Sequence, residues 1–463
     1  MHAPTDSPAN WIDKILDERP MSRLQITTLA LCALVVVLDG FDIQAIGYVA
    51  PAIAESMHVK MSSFGTAFSS GLFGLMTGSA TLAPLADRFG RKGVLVPAVF
   101  LFALCTLLTA FVSTLPQLIA VRFVTGIGLG AALPNIVALA SEYAPRRYAR
   151  TCVTMLFCGM STGAALGGLA AGQLLPRWGW QSVFMVGGVL PLIVGLALIR
   201  MLPESIRFLA TRPGNQNRVR ALLARIAPGL DASATQLPSP TTQAGTTIPV
   251  RLLFADGMWR RTLLLWVPYT MNLISLYFII SWLPAAMRAA TMPLADGIRA
   301  VTLFSIGGVF GALVQGRLMN TFGAFRMLTG EFLIYTCLML LLANVPPSAE
   351  LIFTVAGVLG FAVHGAQAGL NAVAAETYAT TIRSTGVGWA LAVGRIGSIA
   401  APMLGGVMLT MQWSLQQIFL ASSVPAIFAA AAVLTTIAMN RRARRVDSIG
   451  ANDVPPAASK LRP

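Results

Sequence analysis

The chain carries little charge for its length. Of its 463 residues only 11% are charged, 56% are hydrophobic, and histidine occurs three times. Soluble globular proteins carry about 25% charged residues. This shortage excludes an ordinary soluble fold and indicates a protein that crosses a membrane several times.

The motifs of most metal and cofactor chemistry are also missing. The sequence has no H-E-x-x-H, no C-x-x-C and no phosphate-binding loop. Its five cysteines lie in apolar segments without metal-ligand spacing, so we expect small core side chains and no disulfides. The polar first 23 residues do not resemble a signal peptide. We therefore expect no metal, no cofactor and no ATP-driven pump.

One stretch of the sequence matches a motif of serine hydrolases. Gly159, Ser161 and Gly163 fit G-x-S-x-G, and His364 could serve as a base. A nucleophile elbow needs a strand-turn-helix context, whereas these residues lie inside an apolar helical segment. The chain is predicted not to be an enzyme, and an intramembrane serine hydrolase stays as a distant alternative.

Twelve apolar segments account for most of the chain. They span 24–53, 62–86, 94–113, 116–140, 149–174, 181–202, 260–287, 297–319, 326–344, 350–374, 384–410 and 414–439. The polar stretch 203–259 divides them into a first bundle, 24–202, and a second, 260–439, with tails 1–23 and 440–463. The sequence thus predicts an all-α membrane protein with twelve transmembrane helices in two six-helix bundles.

The position of the basic residues explains the formal net charge of +15. Lys60, Arg177, Arg288 and Arg299 fall at one membrane face and Arg122 and Arg395 inside segments, whereas the remaining basic residues fall at the other face. This positive-inside bias places both tails and the stretch 203–259 in the cytoplasm. The basic balance reflects membrane topology, so we expect a lipid bilayer and no nucleic acid as a partner.

Three stretches of the first bundle recur in the second in the same order. Residues 83–90 resemble 316–323, residues 142–150 resemble 376–383, and residues 163–168 resemble 401–406. Such repeats indicate duplication, which predicts pseudo-symmetric bundles with a binding site between them near the membrane midplane.

Two acids interrupt the first apolar segment. Asp39 and Asp42 are three residues apart and share one face of a helix. A carboxylate facing lipid costs roughly 2.5–3.5 kcal/mol, so these side chains face a cation, water or the bundle interior. They are interpreted either as a structural ion pair or as a proton or substrate site.

Two intramembrane arginines complement these acids. Depth in the membrane allows Arg122 to pair with Asp42 or Asp39, whereas Arg395 has no obvious acid in its own bundle. An unpaired arginine near the midplane favours an anionic substrate held by charged hydrogen bonds. The alternative is that Arg395 pairs with Asp39 or with backbone carbonyls.

Several polar and aromatic side chains are candidates for a pocket wall, although each could be core instead. They are Tyr48, Asn135, Tyr269, Asn272, Tyr277, Trp282, His364, Gln367, Asn371 and Trp389. The charged loop Asp87 to Lys92 is a further candidate, for a cytoplasmic latch. There we expect Asp87 to meet a helix N-terminus and Arg91 to meet Glu142.

These features together resemble the major facilitator superfamily. The resemblance rests on twelve segments, the central loop and the charged loop 87–92, and covers almost the whole chain. The pair Asp39 and Asp42 and the runs 122–135, 367–371 and 383–395 are similar to the aromatic acid:proton symporters of that superfamily.

The resemblance assigns roles to matching positions. It implies that Asp39 and Asp42 are needed for transport, with Asp42 pairing with Arg122 and taking the coupling proton. Arg383 and Arg395 match arginines required in that branch. The gate implied by the resemblance consists of Asp87, Arg88, Gly90, Arg91, Glu142 and, at the start of the eleventh segment, Arg383. Ala83, Asn320 and Ala164 depart from the family pattern; the first two concern the latch, and Ala164 argues against drug efflux.

The sequence therefore predicts a secondary active transporter of a bacterial inner membrane, working as a monomer. It would import an aromatic carboxylate of the benzoate, hydroxybenzoate or chlorinated type by proton symport with alternating access. The proton-coupling set is Asp39, Asp42 and Arg122. The substrate-binding set is Arg395, Tyr48, Asn135, Asn272, Tyr277, His364, Gln367, Asn371 and Trp389. A symporter of the same fold for a non-aromatic anion or a sugar is the main alternative.

Overall fold

The computed structural model describes residue 17 and residues 20–452, except 213, 228–249, 256, 347 and 379–381. Within these residues, twelve long helices follow one another. They are α1 (Arg23–Met57), α2 (Phe64–Thr81), α3 (Arg91–Thr109), α4 (Leu115–Tyr143), α5 (Arg146–Trp178), α6 (Gln181–Met201), α7 (Trp259–Ala289), α8 (Leu294–Phe322), α9 (Ala324–Asn344), α10 (Ala349–Thr377), α11 (Arg383–Thr410) and α12 (Leu415–Asn452). The predicted all-α fold is confirmed.

Length and composition identify eleven membrane-spanning helices among the described residues. The remaining long helix, α2, has 18 residues and is rich in glycine, serine and threonine. These small residues let α2 pack closely on its neighbours: a Cβ at Gly74 would lie 2.0 Å from the backbone oxygen of Phe123 in α4. Close packing therefore explains why α2 carries so many small, weakly polar residues.

The contacts between helices repeat from one half to the other. In the N-terminal half (α1–α6), α2 packs on α4, α1 on α5 and α3 on α6; in the C-terminal half (α7–α12), α8 packs on α10, α7 on α11 and α9 on α12. The two halves meet along the equivalent pairs α5–α8 and α2–α11, with α1 against α7. This arrangement is the pseudo-symmetric pair of six-helix bundles that the repeats predict.

Part of the stretch 203–259 departs from the predicted plain polar linker. Short helices form at Ile206–Ala210 and Gln216–Ile226, and the second helix buries Val219, Leu223 and Ile226. It is amphipathic and contacts α1, which accounts for its order. The rest of the predicted linker, 228–249, lies outside the described residues, as do 1–16, 18–19 and 453–463 of the predicted tails.

Candidate functional site

A cavity of about 930 Å³ lies between the two halves. Its walls come from α1 and α5 on one side and from α7, α10 and α11 on the other. Val153, Glu376 and Arg383 line it near the ends of their helices, on the side where residues 202–258 connect the halves. We call this side the loop end and the opposite side the far end.

At the far end the two halves close against each other. Phe68 of α2 meets Trp282 of α7 edge to face, with ring centroids 5.4 Å apart. The Ser69 hydroxyl donates to the backbone oxygen of Ile399 at 2.7 Å, and Glu55 forms an ion pair with Arg288 at 3.2 Å. The central cavity is therefore open toward the loop end and sealed toward the far end.

Arg395 is the principal charge on the cavity wall in the C-terminal half. It projects from α11, lines the cavity and is half-buried. Within the described part of the chain, its guanidinium forms no hydrogen bond and no ion pair, although Asp39 and Tyr277 lie within electrostatic range. A half-buried cation that faces open space without a partner is a docking point for an anion.

Asp42 and Arg122 form a buried cluster inside the N-terminal half, away from the cavity. Arg122 Nη1 lies 3.2 Å from Asp42 Oδ2, and the Thr106 hydroxyl donates to Asp42 Oδ1 at 2.5 Å. Arg122 Nη2 donates to Thr109 and Thr125 at 2.9 and 3.2 Å. Of the two pairings that membrane depth allows, the structure shows Arg122 with Asp42. Both Asp42 oxygens and both terminal nitrogens of Arg122 have partners, whereas Arg122 Nε has none among the described residues.

Asp39 differs from Asp42 although it lies on the same helix. It is 1% exposed, and neither carboxyl oxygen has a hydrogen-bond partner among the residues described. Its neighbour Gly40 lines the cavity, and both Asp42 and Arg395 lie within electrostatic range. Asp39 thus lies between the ion pair of the N-terminal half and Arg395 on the cavity wall of the C-terminal half.

Two side-chain amides face the cavity beside Arg395. Asn272, buried behind them, donates to Gln367 Oε1 at 3.0 Å, and the Tyr269 hydroxyl donates to Asn371 Oδ1 at 2.7 Å. Because the oxygens are occupied from behind, the amide nitrogens of Gln367 and Asn371 are the available groups. Donors are what a carboxylate requires, so the polar part of this wall suits an anion.

The remaining predicted wall residues separate into two groups. Tyr277 and His364 line the cavity. Tyr48 is fully buried and donates to the backbone oxygen of Ala164, Asn135 donates to Ala131 of its own helix, and Trp389 stacks on Trp266 outside the cavity. Trp282 belongs to the far-end seal. Tyr48, Asn135 and Trp389, expected on the wall, therefore do not contact the cavity in this conformation, because their helices turn these faces toward neighbouring helices or outward.

Apolar side chains make up another part of the cavity wall. Phe157 and Met160 of α5 and Leu276 and Ile280 of α7 line the cavity. The sequence analysis did not predict Phe157 as a cavity residue, although it lies one helical turn from Ser161 and so shares its face. The cavity thus offers one polar, donor-rich region and one apolar region.

The hydrolase alternative has no catalytic geometry. Ser161 lies inside the continuous helix α5 and His364 on α10 of the other half. The His364 ring nitrogen Nδ1 contacts the backbone oxygen of Gly360 at 3.1 Å, and no hydrogen bond joins it to Ser161 in the described residues. Neither residue is placed as a nucleophile-base pair.

The predicted latch forms a charged cluster at the loop end of the N-terminal half. Arg91 pairs with Asp87 at 2.8 Å and approaches Glu142 at 3.9 Å. The expected contact of Asp87 with a helix N-terminus is absent in this conformation: its side chain is 79% exposed, and Glu204 occupies the N-terminus of α3 instead. Glu204 Oε1 accepts from the backbone N–H groups of Arg91 and Lys92 at 2.8 and 3.2 Å.

Other members of the predicted latch have defined positions. Gly90 has a φ of +91°, and a Cβ there would lie 2.3 Å from Glu204 Oε2. The Ser205 hydroxyl donates to Glu142, and Arg212 donates to the backbone oxygen of Arg88 at 2.7 Å. Arg383 lies in the other half, at the cavity mouth. Apart from Arg383, the cluster belongs to one half.

Two acids of the structure, Glu204 and Glu331, were not predicted from the sequence. Glu204 follows the sixth segment directly, and nothing in its neighbourhood distinguishes it from an ordinary loop acid. Glu331 lies within the predicted segment 326–344 and is 1% exposed. The criterion that singled out Asp39, an acid inside an apolar segment, would have found Glu331 as well.

Comparison with known proteins places this architecture in a family. The model of the Major Facilitator Superfamily matches residues 32–346 and 265–461. The chain is 39% identical to the 4-hydroxybenzoate transporter PcaK of Pseudomonas aeruginosa, over 91% of this chain and 95% of the relative. It is 37% identical to a gallate transporter of Pseudomonas putida, over 93% and 96%. A benzoate transport protein of Acinetobacter baylyi is 30% identical, over 93% of both.

A solved structure shows the same fold. A bacterial homologue of the human lysosomal transporter Spinster, in an inward-facing and unoccupied conformation, superposes with a TM-score of 0.69 at 17% identity, covering 89% of this chain and 96% of that one. The chain belongs to the major facilitator superfamily, in the branch that includes the 4-hydroxybenzoate, gallate and benzoate transporters. The prediction of a multi-pass membrane transporter and not an enzyme is confirmed.

Proposed function

We propose that this protein imports a single-ring aromatic carboxylate by proton symport with alternating access. The observation that carries the proposal is Arg395, a cation without a partner among the described residues, on the wall of the central cavity. The amide nitrogens of Gln367 and Asn371 add neutral donors. The relatives named for aromatic acids support the substrate class.

The two regions of the cavity match the two ends of such a substrate. The carboxylate would bind Arg395 through charged hydrogen bonds. The ring would lie against Phe157, Met160 and Tyr277, where aromatic and apolar contacts favour a flat ring. A sugar would present hydroxyls to this apolar wall and no anion to Arg395.

The proton site that the geometry favours is Asp39. Asp42 already has Arg122 and Thr106 as partners, so its charge is stabilised without a proton. Both oxygens of Asp39 are buried without partners among the described residues, and an ionised carboxylate in that position is expensive. A proton on Asp39 removes that charge.

The position of Asp39 near Arg395 suggests how proton and substrate are coupled. Ionised Asp39 would attract Arg395 and compete with a substrate carboxylate for the same guanidinium. Protonated Asp39 leaves Arg395 to the substrate. Proton and anion therefore bind together, and the halves can rock without moving an unpaired charge through an apolar seam.

In the proposed cycle the chain lies in the inner membrane of a bacterium as a monomer, with the loop end and both termini in the cytoplasm. The positive-inside bias supports this orientation. The conformation described here would then release substrate inward. Opening outward requires the far-end contacts of Phe68, Ser69 and Glu55 to break. Apart from the proton, no cofactor takes part.

The test is uptake of labelled 4-hydroxybenzoate into proteoliposomes with an imposed pH gradient. We expect accumulation that disappears when the gradient is collapsed and that benzoate inhibits. Cyclohexanecarboxylate, which keeps the carboxylate but lacks the aromatic ring, is the matched competitor and should inhibit less. Equal inhibition by both acids would support the non-aromatic alternative. Accumulation unaffected by the gradient would reject proton coupling.

A further inference from the structure

A second buried acid lies in the C-terminal half, outside the transport site proposed above. Glu331 projects from α9 and is 1% exposed. Acids inside membrane-spanning segments are costly and usually serve ions, protons or substrates. The surroundings of Glu331 show which of these it serves.

The polar contacts of Glu331 leave one donor missing. Gln315 of α8 donates through Nε2 to Glu331 Oε2 at 3.2 Å. Glu331 Oε1 and Gln315 Oε1 are both buried without a partner among the described residues. Both oxygens converge on Gly365 of α10, where a Cβ would lie 2.7 and 3.0 Å from them. A proton on Glu331 Oε1 supplies the donor that this pair of acceptors lacks.

Among the described residues, no charged side chain lies where it would stabilise an ionised Glu331. Its helix packs on α8, α10 and α12. Arg317 of α8 and Arg326 of α9 are exposed at the loop end. On α10, His364 contacts Phe304, and Glu376 lies three turns further toward the loop end. Helix α12 has no charged residue between 415 and 439. Among the described residues Glu331 forms no ion pair. The neutral carboxylic acid is therefore the form that this site holds.

Glu331 also lies between two cavities. A side cavity of about 250 Å³ enters the C-terminal half from the loop end, with Arg261 and Glu376 among its lining residues and Leu328, one turn from Glu331, on its wall. The central cavity reaches Ala312 and Ala368, each one turn from Gln315 and Gly365. Glu376 lines both cavities. Single helical turns thus separate the acid from two spaces that water can enter.

We propose that Glu331 is a second proton-binding site of the transporter, distinct from Asp39, and that it exchanges its proton with the loop end through the side cavity. The inference rests on the proposed proton symport and extends it. The O–H bond on Oε1 forms with a proton taken up at the far end and breaks when that proton leaves at the loop end. With a second proton for each monoanion, the cycle moves one net positive charge.

The experiment separates the electrical from the chemical driving force. Uptake of labelled 4-hydroxybenzoate is measured in proteoliposomes at equal pH on both sides. Valinomycin sets a potassium diffusion potential that is negative inside. One net charge corresponds to about fiftyfold accumulation for each 100 mV. We expect the wild type to show this response and Glu331→Gln to lose it while keeping uptake driven by a pH gradient. Glu331→Asp should recover part of it.

The matched control is Glu350→Gln, which removes an exposed acid at the far-end start of α10 and should behave as the wild type. If Glu331→Gln kept the full response to potential, the proposal would be overturned. If that variant failed to fold, protons would be counted for each substrate taken up by the wild type: two support the proposal and one overturns it. If the wild type showed no uptake driven by a pH gradient, proton symport itself would be rejected. Failure of the Glu331 proposal and failure of the proposed function are therefore distinguishable.

Discussion

Asp39 and Asp42 lie one turn apart on α1, but Asp42 pairs with Arg122 at 3.2 Å, while both oxygens of Asp39 are buried with no partner in the described part of the chain. Adjacent acids of the same type are thus in opposite electrostatic situations. Asp42 is held in an ion pair within the N-terminal half. The other has an environment that favours the neutral acid and lies within range of Arg395 across the interface.

Replacing each acid by its amide should separate these situations. Asp39→Asn mimics the protonated acid, so we expect normal thermal stability, retained substrate binding and loss of pH-driven accumulation. Asp42→Asn leaves Arg122 buried without its counter-ion, which costs about 3–5 kcal/mol and should lower the melting temperature. Thermal unfolding in detergent and uptake in proteoliposomes measure the two effects. Equal destabilisation by both substitutions would contradict the distinction.

Arg395 should determine affinity for the anion. Arg395→Gln removes the charged donor, and the loss of a charged hydrogen bond worth about 1.5–3 kcal/mol predicts roughly 10- to 100-fold weaker binding. Arg395→Lys keeps the charge but loses the planar, bidentate geometry, so we expect an intermediate affinity. Titration calorimetry with 4-hydroxybenzoate gives the values. As a control, Arg317→Gln changes an exposed arginine of the same half and should leave affinity unchanged.

Replacing an amide beside Arg395 by an acid should weaken binding of the anion. Asn371→Asp exchanges a donor for a carboxylate while keeping the shape, and we expect weaker binding of the anion at neutral pH with recovery as the pH falls. The sign follows because protonation of the new acid removes its repulsion of the substrate. Asn344→Asp, at the exposed far end of α9, is the isosteric control. Binding measured across a pH series checks the prediction, and tighter binding at neutral pH would contradict it.

Gly90 and Glu204 should act on stability and on the latch, not on substrate affinity. Any side chain at Gly90 meets both a positive φ and the Glu204 carboxylate. Gly90→Ala should therefore cost more than the roughly 1 kcal/mol of a typical left-handed substitution. Glu204→Gln removes the negative charge at the start of α3 and should cost about 0.3–1 kcal/mol. Thermal unfolding measures both, while unchanged ligand affinity in each variant shows that the cavity is intact.

The far-end ion pair offers a test of alternating access. Glu55 and Arg288 are exposed, so their pair contributes about 0.2–1 kcal/mol to the closed far end. Glu55→Arg should shift the population toward the outward-open state, and adding Arg288→Glu should restore it. Labelling of a cysteine that replaces Ser69, a buried residue in contact with the backbone oxygen of Ile399 across the interface, reports this opening. Labelling that is the same in all three proteins would show that the pair has no part in closure.

The sequence was informative where a residue breaks a strong pattern. Asp39, Asp42, Arg122 and Arg395 are conspicuous because charges are rare in apolar segments, and the structure joins Asp42 to Arg122 and places Arg395 on the cavity. Glu331 breaks the same pattern. The number of helices and their pseudo-symmetric halves follow from segment length and repeats.

The faces of the helices were harder to predict. Helices that are apolar on all sides give little indication of which side meets the cavity, which is why Tyr48, Asn135 and Trp389 were expected on a wall that they do not reach. The cap at α3 shows a different difficulty. Asp87 and Glu204 are equally suited to an N-terminus by residue type, and the choice depends on how the chain after α6 returns to α3.

The size of the central cavity has a consequence for selectivity. At about 930 Å³ it is far roomier than a benzoate-sized molecule needs, so a substrate of the proposed class would fill only part of it in this conformation. In this open state, ring substituents find few neighbours that could accept or reject them. If the protein carries the proposed acids, discrimination between hydroxylated and unsubstituted rings would arise as the walls converge. We then expect competing acids to differ more in their rate of transport than in their initial affinity.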